Sequence, residues 1–419
     1  MKFEKIDPYV FVTKLAGFEH TKYIQGVATH SQVSADDVPM VQGKNIRNGS
    51  FVNEHEWYIK KKISDLLPRS VLNKPCILIP YVGSNLGEVG IFPCEYICHL
   101  ASNVAKVELV SDKYLLDYIK YYLQSDIGQG YLFQNKQGSA QPNITMDSIR
   151  NTFIIERTIQ EQHQICSVLS TIDKKVENNK KICSELEAMA KTLYDYWFVQ
   201  FDFPDENGKP YRTSGGEMVW NERLKREIPK GWEVGNLYSI ADFINGLACQ
   251  KFRPKDGEKA LPVIKIKEMH DGITAETEQV SENIPSKHKI FDGDILFSWS
   301  ATLEVMYWYG GNGGLNQHIF KVNPKSYFPK EYVYEQLSSY IVNFVKMAEA
   351  RKTTMGHITT DHLEQSKIPL PPESLIKQFK AKIYPIHLKI GQAKQENREL
   401  TKLRDWLLPM LMNGQARVE

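Results

Sequence analysis

The chain has 419 residues, of which 42% are hydrophobic, and a formal net charge of +2 at neutral pH. This length allows two or three domains, each with its own core, whereas no apolar run approaches the roughly 20 residues that a membrane-spanning helix needs. The small net charge neither demands nor excludes a nucleic-acid partner.

The first residues and the cysteines indicate a cytoplasmic protein. The N-terminal segment lacks the continuous apolar core of a secretory signal, and the six cysteines are dispersed along the chain, as is typical of reduced thiols. Cys94, Cys98 and His99 form the one cluster with the character of a metal site. Two thiols without a second pair do not complete a tetrahedral zinc site, so we expect no bound metal.

Residues 1–150 have the pattern of a mixed α/β domain. Short apolar runs at 38–41 and 76–82 predict buried strands, and each is followed by a polar, turn-forming segment. Residues 113–125 predict a helix. After it, an amide-rich loop at 134–143 leads into the next helical segment.

Residues 151–200 predict a long amphipathic helix. Apolar residues recur there in alternating steps of three and four over five heptads, and no proline or glycine occurs from Thr158 to Val199. One heptad position reads Ile165, Ile172, Asn179, Leu186 and Leu193. The position three residues later, which reads Val168, Lys175, Ile182, Met189 and Tyr196, is assigned to the same apolar seam, meaning the stripe that faces a partner helix.

The first half of the chain recurs in the second. The heptad position returns 214 residues later as Phe379, Ile386, Ala393, Leu400 and Leu407. The same offset carries 144–147 onto 358–361, whereas the offset drifts to 218 and 223 in the strand regions. A fixed offset in the helical part and a drifting one in the globular parts indicate an internal duplication whose globular units differ in loop length.

The duplication predicts an α+β fold with two similar mixed α/β modules separated by a pair of long antiparallel helices, related by a pseudo-two-fold axis. About 40 residues of helix span on the order of 60 Å, which suits two sites on one DNA duplex. Long heptad pairs also commonly serve only to hold domains together or to form dimers. The predicted parts are a first module at 1–150, a first helix at 151–200, a connector at 201–232, a second module at 233–370 and a second helix with its tail at 371–419.

The connector carries a resemblance to a known family. The sequence from Trp197 to Glu233 is similar to the central region of specificity (S) subunits of type I restriction-modification enzymes. Its segment IPKGWE, at 228–233, resembles the start of a target-recognition domain, and 400–415 resembles the second conserved region of the family. The first module departs from the pattern, because it begins with MKFE and lacks this opener, which leaves its N-terminal boundary open.

The resemblance implies that the modules are target-recognition domains, each of which reads one half of a bipartite site on double-stranded DNA. It implies that the helix pair sets the spacer length between the half-sites. It also implies that two methyltransferase (M) subunits dock on the helices and that restriction/translocase (R) subunits join the complex.

The sequence contains no catalytic motif of the kinds that such a system uses. An amino-methylation tetrad, a glycine-rich cofactor loop and a phosphate-binding loop are all missing from it. We therefore expect neither catalysis nor a cofactor. A scaffold with duplicated protein-binding modules is the alternative function, and a stand-alone enzyme is the third.

Candidate contacts follow from chemistry, because Arg and Lys suit guanine, Asn and Gln suit adenine, and small polar groups suit phosphates. In the first module the candidates are Lys44, Asn45, Arg47, Asn48, Ser84, Asn85, Gln137, Ser139, Gln141 and Asn143. In the second they are Lys265, Lys267, His270, Trp299, Ser300, Asn316, Gln317, Arg351, Lys352, Thr353, Thr354 and His357. The candidates for packing in the helix pair are Ile165, Val168, Ile172, Ile182, Leu186, Met189, Leu193, Phe379, Ile386, Leu400, Leu403 and Leu407.

Overall fold

The computed structural model describes residues 2–134, 143–300, 302–350 and 360–418. The chain forms two compact units: unit 1 comprises Met1–Lys174 and Thr401–Glu419, and unit 2 comprises Lys175–Leu400. Each long helix therefore contributes residues to both units. Within the described ranges, none of the helices has the length and apolar character to cross a membrane.

Unit 1 contains two four-stranded sheets and short helices, followed by the first long helix. Its strands are β1 (Phe3–Lys5), β2 (Val10–Lys14), β3 (Val38–Val41), β4 (Ile46–Arg47), β5 (Ser50–Phe51), β6 (Tyr58–Ile59), β7 (Val71–Leu72), β8 (Cys76–Pro80), β9 (Gly90–Phe92), β10 (Cys98–Leu100), β11 (Val104–Leu109) and β12 (Phe153–Ile155). Its helices are α1 (Gly17–Glu19), α2 (Lys61–Asp65), α3 (Leu116–Gln124), α4 (Asp126–Leu132), α5 (Met146–Arg150) and the start of α6 (Ile159–Tyr194).

Unit 2 contains the rest of α6, the connector, the second module and most of the second long helix. Its strands are β13 (Met218–Asn221), β14 (Arg226–Pro229), β15 (Glu233–Gly235), β16 (Ala241–Asn245), β17 (Ala260–Ile264), β18 (Gln279–Ser281), β19 (Lys289–Ile290), β20 (Ile295–Ser298), β21 (Glu304–Tyr307), β22 (Gly313–Leu315), β23 (Ile319–Pro324) and β24 (Ile368–Leu370). Its helices are α7 (Leu237–Ile240), α8 (Ile266–Asp271), α9 (Lys330–Ala350), α10 (Thr360–Gln365) and α11 (Glu373–Met412).

The two modules share one topology. The sheets of the first have the orders β6-β3-β10-β7 and β2-β11-β8-β9, and those of the second have β18-β17-β22-β19 and β16-β23-β20-β21. The registers also match, because Lys106 lies opposite Leu78 in the first module and Lys321 lies opposite Leu296 in the second. These two buried lysines even donate to matching carbonyl groups, those of Val71 and Lys289. The predicted fold, a duplicated mixed α/β module alternating with a long helix, is confirmed.

The long helices bury a seam that follows heptad spacing. The residues of the first predicted seam position in α6 are buried or partly buried. Ile165, Ile172 and Asn179 are buried, and Leu186 and Leu193 are partly buried. The second seam position lies four residues after the first, rather than three. It reads Leu169, Val176, Cys183 and Ala190 in α6, with Trp197 just after its end, and Ile383, Ile390, Asn397, Arg404 and Leu411 in α11.

The difference leaves part of the predicted packing set on the surface. Ile182, Met189 and Leu403 are 39%, 60% and 43% exposed, whereas Val168 and Leu407 pack at the edge of the core of unit 1. Seam positions alternate in steps of three and four. The heptad positions three and four residues after the first both contain apolar residues. The sequence of one helix does not show which of these two positions faces the partner helix.

The helices run antiparallel within each unit. In unit 2, Cys183 lies against Ile390, and Phe198 further along packs on Phe379, whose position in α11 is earlier. In unit 1, Asp173 pairs with Arg404, and the cluster around the earlier Ile165 contains the later residues Leu408 and Leu411. A buried polar layer interrupts the apolar seam in unit 2, where Asn179 donates to Asn397 at 3.0 Å.

Aromatic side chains of the connector pack on one another and belong to the same buried cluster as Ile240 and Phe297 of the second module. Phe201 is fully buried, and its ring lies edge-on to Trp232 with centroids 5.3 Å apart. Phe203 stacks between Trp232 and Tyr211, at centroid distances of 5.5 and 4.7 Å. The connector is therefore a packed part of unit 2.

Candidate nucleic-acid interface

The predicted polar turn of the first module is a tight β-hairpin, formed by β4 and β5. Asn48 and Gly49 have φ angles of 51° and 74°, the left-handed conformation that an Asn-Gly turn adopts at low cost. The Gly49 amide donates to the carboxylate of Glu88 at 2.9 Å, and its carbonyl accepts from Gln124 at 3.1 Å. The tip of the hairpin is thus fixed, with Asn48 exposed.

Four predicted contacts lie close together beside this hairpin. Lys44, Ser84 and Asn85 line a cavity of about 250 Å³, and the exposed Arg47 donates from Nε to the carbonyl of Lys44 at 2.6 Å. The Lys44 ammonium group pairs with the carboxylate of Glu56. Cations, a hydroxyl and an amide are the groups that bind phosphates and base edges, so this surface is the candidate interface of the first module.

Asn45 has a different environment from its neighbours. Its side chain is buried, where it donates to the carbonyl of Val52 at 3.0 Å and accepts from the amide of Gln42 at 2.8 Å. In the second module Glu268 has the same role, because its carboxylate accepts from the amide of Lys265 at 3.1 Å. The hydrogen bonds of these two buried side chains stabilise the conformation of their own loops.

The matching loop of the second module is built differently. Where the first module has the β4–β5 hairpin, the second has the helix α8, which exposes Lys267 and His270. His270 Nε2 lies 3.0 Å from the carboxylate of Glu304. Lys265 lies 2.6 Å from the carboxylate of Glu278, and this hydrogen bond is the main reason why the pKa of Glu278 falls below its ordinary value.

A second group of candidates meets at the ends of β20 and β22. The Trp299 ring lies 5.5 Å from the ring of His318, and the Gln317 amide nitrogen lies 3.3 Å from His318 Nε2. Asn316 is buried and accepts from the backbone amide of His318 at 3.3 Å, and Ser300 is buried as well. Trp299 and Gln317 are therefore the members of this group with partly exposed side chains.

Some candidates fall on segments that are not described. Asn143 is exposed and lies three residues before α5. The N-terminus of α5 is capped by Thr145, whose hydroxyl accepts from the amide of Ser148 at 3.0 Å. The remaining candidates lie outside the described residues, and they are Gln137, Ser139, Gln141, Arg351, Lys352, Thr353, Thr354 and His357.

Two side chains at the candidate interface of the first module could not be identified from the sequence. Gln42 and Asn103 line the same cavity as Lys44, and Asn103 Oδ1 accepts from the amide of Gly43 at 3.2 Å. The parallel pairing of β10 with β3 brings Asn103 to this loop. No local pattern reports such a distant pairing.

The cysteine and histidine cluster that the sequence singles out belongs to the core. Burial raises the pKa of Cys98 to about 12 and lowers the pKa of His99 to about 4. Both groups are therefore uncharged near neutral pH and add no charge to the interface. In the part of the chain that the structure describes, no three His, Cys, Asp or Glu side chains are placed to hold a metal ion.

Comparison with known proteins gives a consistent result. A family model described as the type I restriction modification DNA specificity domain matches residues 33–188 and 229–400. A specificity subunit of the type I restriction enzyme MjaIX from Methanocaldococcus jannaschii is 23% identical over 398 residues, covering 91% of this chain and 88% of that protein. The HindI specificity subunit from Haemophilus influenzae is 26% identical over 326 residues, covering 65% and 71%.

One solved structure shares the fold over nearly the whole length. The crystal structure of the S subunit of a type I restriction-modification system from M. genitalium covers 98% of this chain and 96% of its own. The TM-score is 0.53 at 15% sequence identity.

Proposed function

The chain belongs to the type I restriction modification DNA specificity family, and from this premise we propose that it is the non-catalytic subunit that reads a bipartite DNA site. Each target-recognition domain reads one half-site, and the helix pair sets the spacer. The observation that carries the proposal is that the two modules have the same strand order and register but present different loops. One scaffold used twice with different loops suits two different half-sites.

The local chemistry of the two loops supports separate readers. The first module offers Arg47 and Asn48 on a hairpin with Lys44 beside it, whereas the second offers Lys267 and His270 on a short helix. Different side chains on different backbones meet different base edges. Binding to DNA should also weaken steeply with salt, because lysine and arginine contacts to phosphates release counterions.

Replacing Arg47 with alanine should relax recognition of the first half-site alone. Loss of one base-edge contact costs about 1–3 kcal/mol of discrimination, and the second half-site should be read as before. Competition binding of the complex with M subunits, on duplexes altered in one half-site at a time, measures this.

Arg69→Ala is the matched control, because Arg69 is exposed on the same module but lies on the turn before β7. It should leave the sequence preference of both half-sites intact. If Arg47→Ala changed both half-sites equally, the assignment of one reader to each half-site would be wrong. A footprint without any protected bipartite site would favour the protein-binding scaffold instead.

We propose further that two M subunits dock on the helix pair, in the cytoplasm, and that R subunits join this core. Met189 and Leu403 are exposed at positions 214 residues apart, which are equivalent in the repeat. Exposed apolar side chains at equivalent positions of a duplicated scaffold suit two copies of one partner.

Met189→Asp and Leu403→Asp should each weaken the binding of one M subunit and leave the other bound. Native mass spectrometry of the purified complex reads the number of M subunits directly. Val219→Asp, an equally apolar side chain that is 38% exposed on β13, is the control and should retain both. If a variant that carries both Met189→Asp and Leu403→Asp still bound two M subunits, docking at these positions would be refuted.

A further inference from the structure

The first module contacts its long helix through a carboxylate on the helix. Asp173 of α6 accepts from the hydroxyl of Tyr121 at 2.7 Å and lies 3.2 Å from the ammonium group of Lys120, both on α3. Arg404 of α11 approaches the same carboxylate at 3.4 Å. Tyr121 and Lys120 are buried. In unit 1, therefore, the module supplies the donors and its helix supplies the acceptor.

The second module contacts its long helix with the roles reversed. His387 of α11 has Nε2 3.2 Å from the carboxylate of Glu335 on α9, and both side chains are at least nine-tenths buried. The ring of Tyr334 lies 5.6 Å from the imidazole, and the ring of Tyr307 lies 5.2 Å from it. In unit 2 the module supplies the carboxylate, and the helix supplies the basic group.

These two contacts occupy equivalent positions of the duplication. The offset of 214 residues that relates the helical parts carries Asp173 onto His387 and Tyr121 onto Glu335. It also carries Lys120 onto Tyr334. In the first repeat, the helix residue is an acid that faces a cation and a hydroxyl of the module. In the second repeat, the equivalent helix residue is a base that faces an acid of the module.

We propose that this reversed polarity makes the two module–helix contacts non-interchangeable, so that each target-recognition domain packs only on its own long helix. Seating the second module on α6 would bury Glu335 against Asp173, carboxylate to carboxylate. Packing the first module on α11 would bury Lys120 beside His387, without the carboxylate that balances its charge in unit 1. A buried charge without a partner is strongly destabilising, whereas a paired one is tolerated. The modules share one fold, so the contact residues distinguish them.

The inference is tested by converting one contact into the other in the full chain. Tyr121→Glu should lower the melting temperature of the least stable transition by about 5 °C or more, because two carboxylates then face each other. Asp173→His should also destabilise, because an imidazole then faces Lys120 and Arg404. The double variant rebuilds the second contact, and at least half of the summed loss should be recovered.

Tyr131→Glu on α4 is the matched control, since its loss should not be recovered by Asp173→His. If Tyr121→Glu does not fold, the reciprocal pair in unit 2 decides, with Glu335→Tyr and His387→Asp combined expected to be more stable than either alone. Losses that simply add in both pairs would overturn the inference. Thermal unfolding needs no DNA, so this outcome is independent of whether the chain reads a bipartite site.

Discussion

Replacing Phe379 with alanine is expected to lower the free energy of unfolding by about 3–5 kcal/mol and the melting temperature by roughly 10 °C. Phe379 is fully buried, and its ring centroid lies 4.8 Å from that of Phe198 and 5.6 Å from that of Trp197. It also contacts Tyr332 of α9. Removing the ring leaves a cavity where α11, the end of α6 and the second module meet.

Denaturant unfolding followed by tryptophan fluorescence measures this loss. Phe18→Ala is the control for the same chemical change, because Phe18 is 72% exposed and surface substitutions usually stay within about 0.5 kcal/mol. If Phe379→Ala and Phe18→Ala lowered the free energy of unfolding by similar amounts, the ring contacts of Phe379 would not stabilise unit 2.

Inserting one heptad into both long helices is expected to lengthen the spacer of the recognised DNA sequence and leave both half-sites unchanged. A second copy of 176–182 after Ile182 and a second copy of 390–396 after Glu396 keep the seam continuous, since both segments carry seam residues. Seven residues add about 10 Å of helix, which corresponds to about 3 base pairs.

Methylation mapping in cells that carry the variant and its M subunit gives the new spacer. Exchanging the same segments for other heptads of equal length, with the seam residues kept, is the control and should leave the spacer unchanged. A spacer that stays the same after the double insertion would refute the role of the helices as the ruler.

Much of the fold could be predicted because it is duplicated. A repeat offset that is constant through the helices and drifts through the sheets indicates the modules and the helices. The need to bury two apolar seams in such a chain predicts the antiparallel arrangement. The seam was harder, because Met189 and Leu403 look as apolar as true seam residues. The residues that occupy the second seam position include Asn397, Cys183 and Ala190, whose burial depends on the facing helix rather than on their own hydrophobicity.

The interface could be predicted only as a region. Residue type alone marks Lys44, Arg47 and Asn45 equally, but the fold turns Asn45 inward to bond the backbone of its own loop. Asn103 reaches the same place through a parallel strand pairing that no local pattern reports. Loop chemistry can be read from a sequence, whereas the direction of each side chain is set by tertiary contacts.

The most direct test of two readers on one chain is methylation mapping of the genome of a host that carries the wild-type chain with its M subunit. The expected result is one motif with two specified half-sites, separated by an unspecified spacer of constant length. A single uninterrupted motif, or two half-sites at variable spacing, would contradict it.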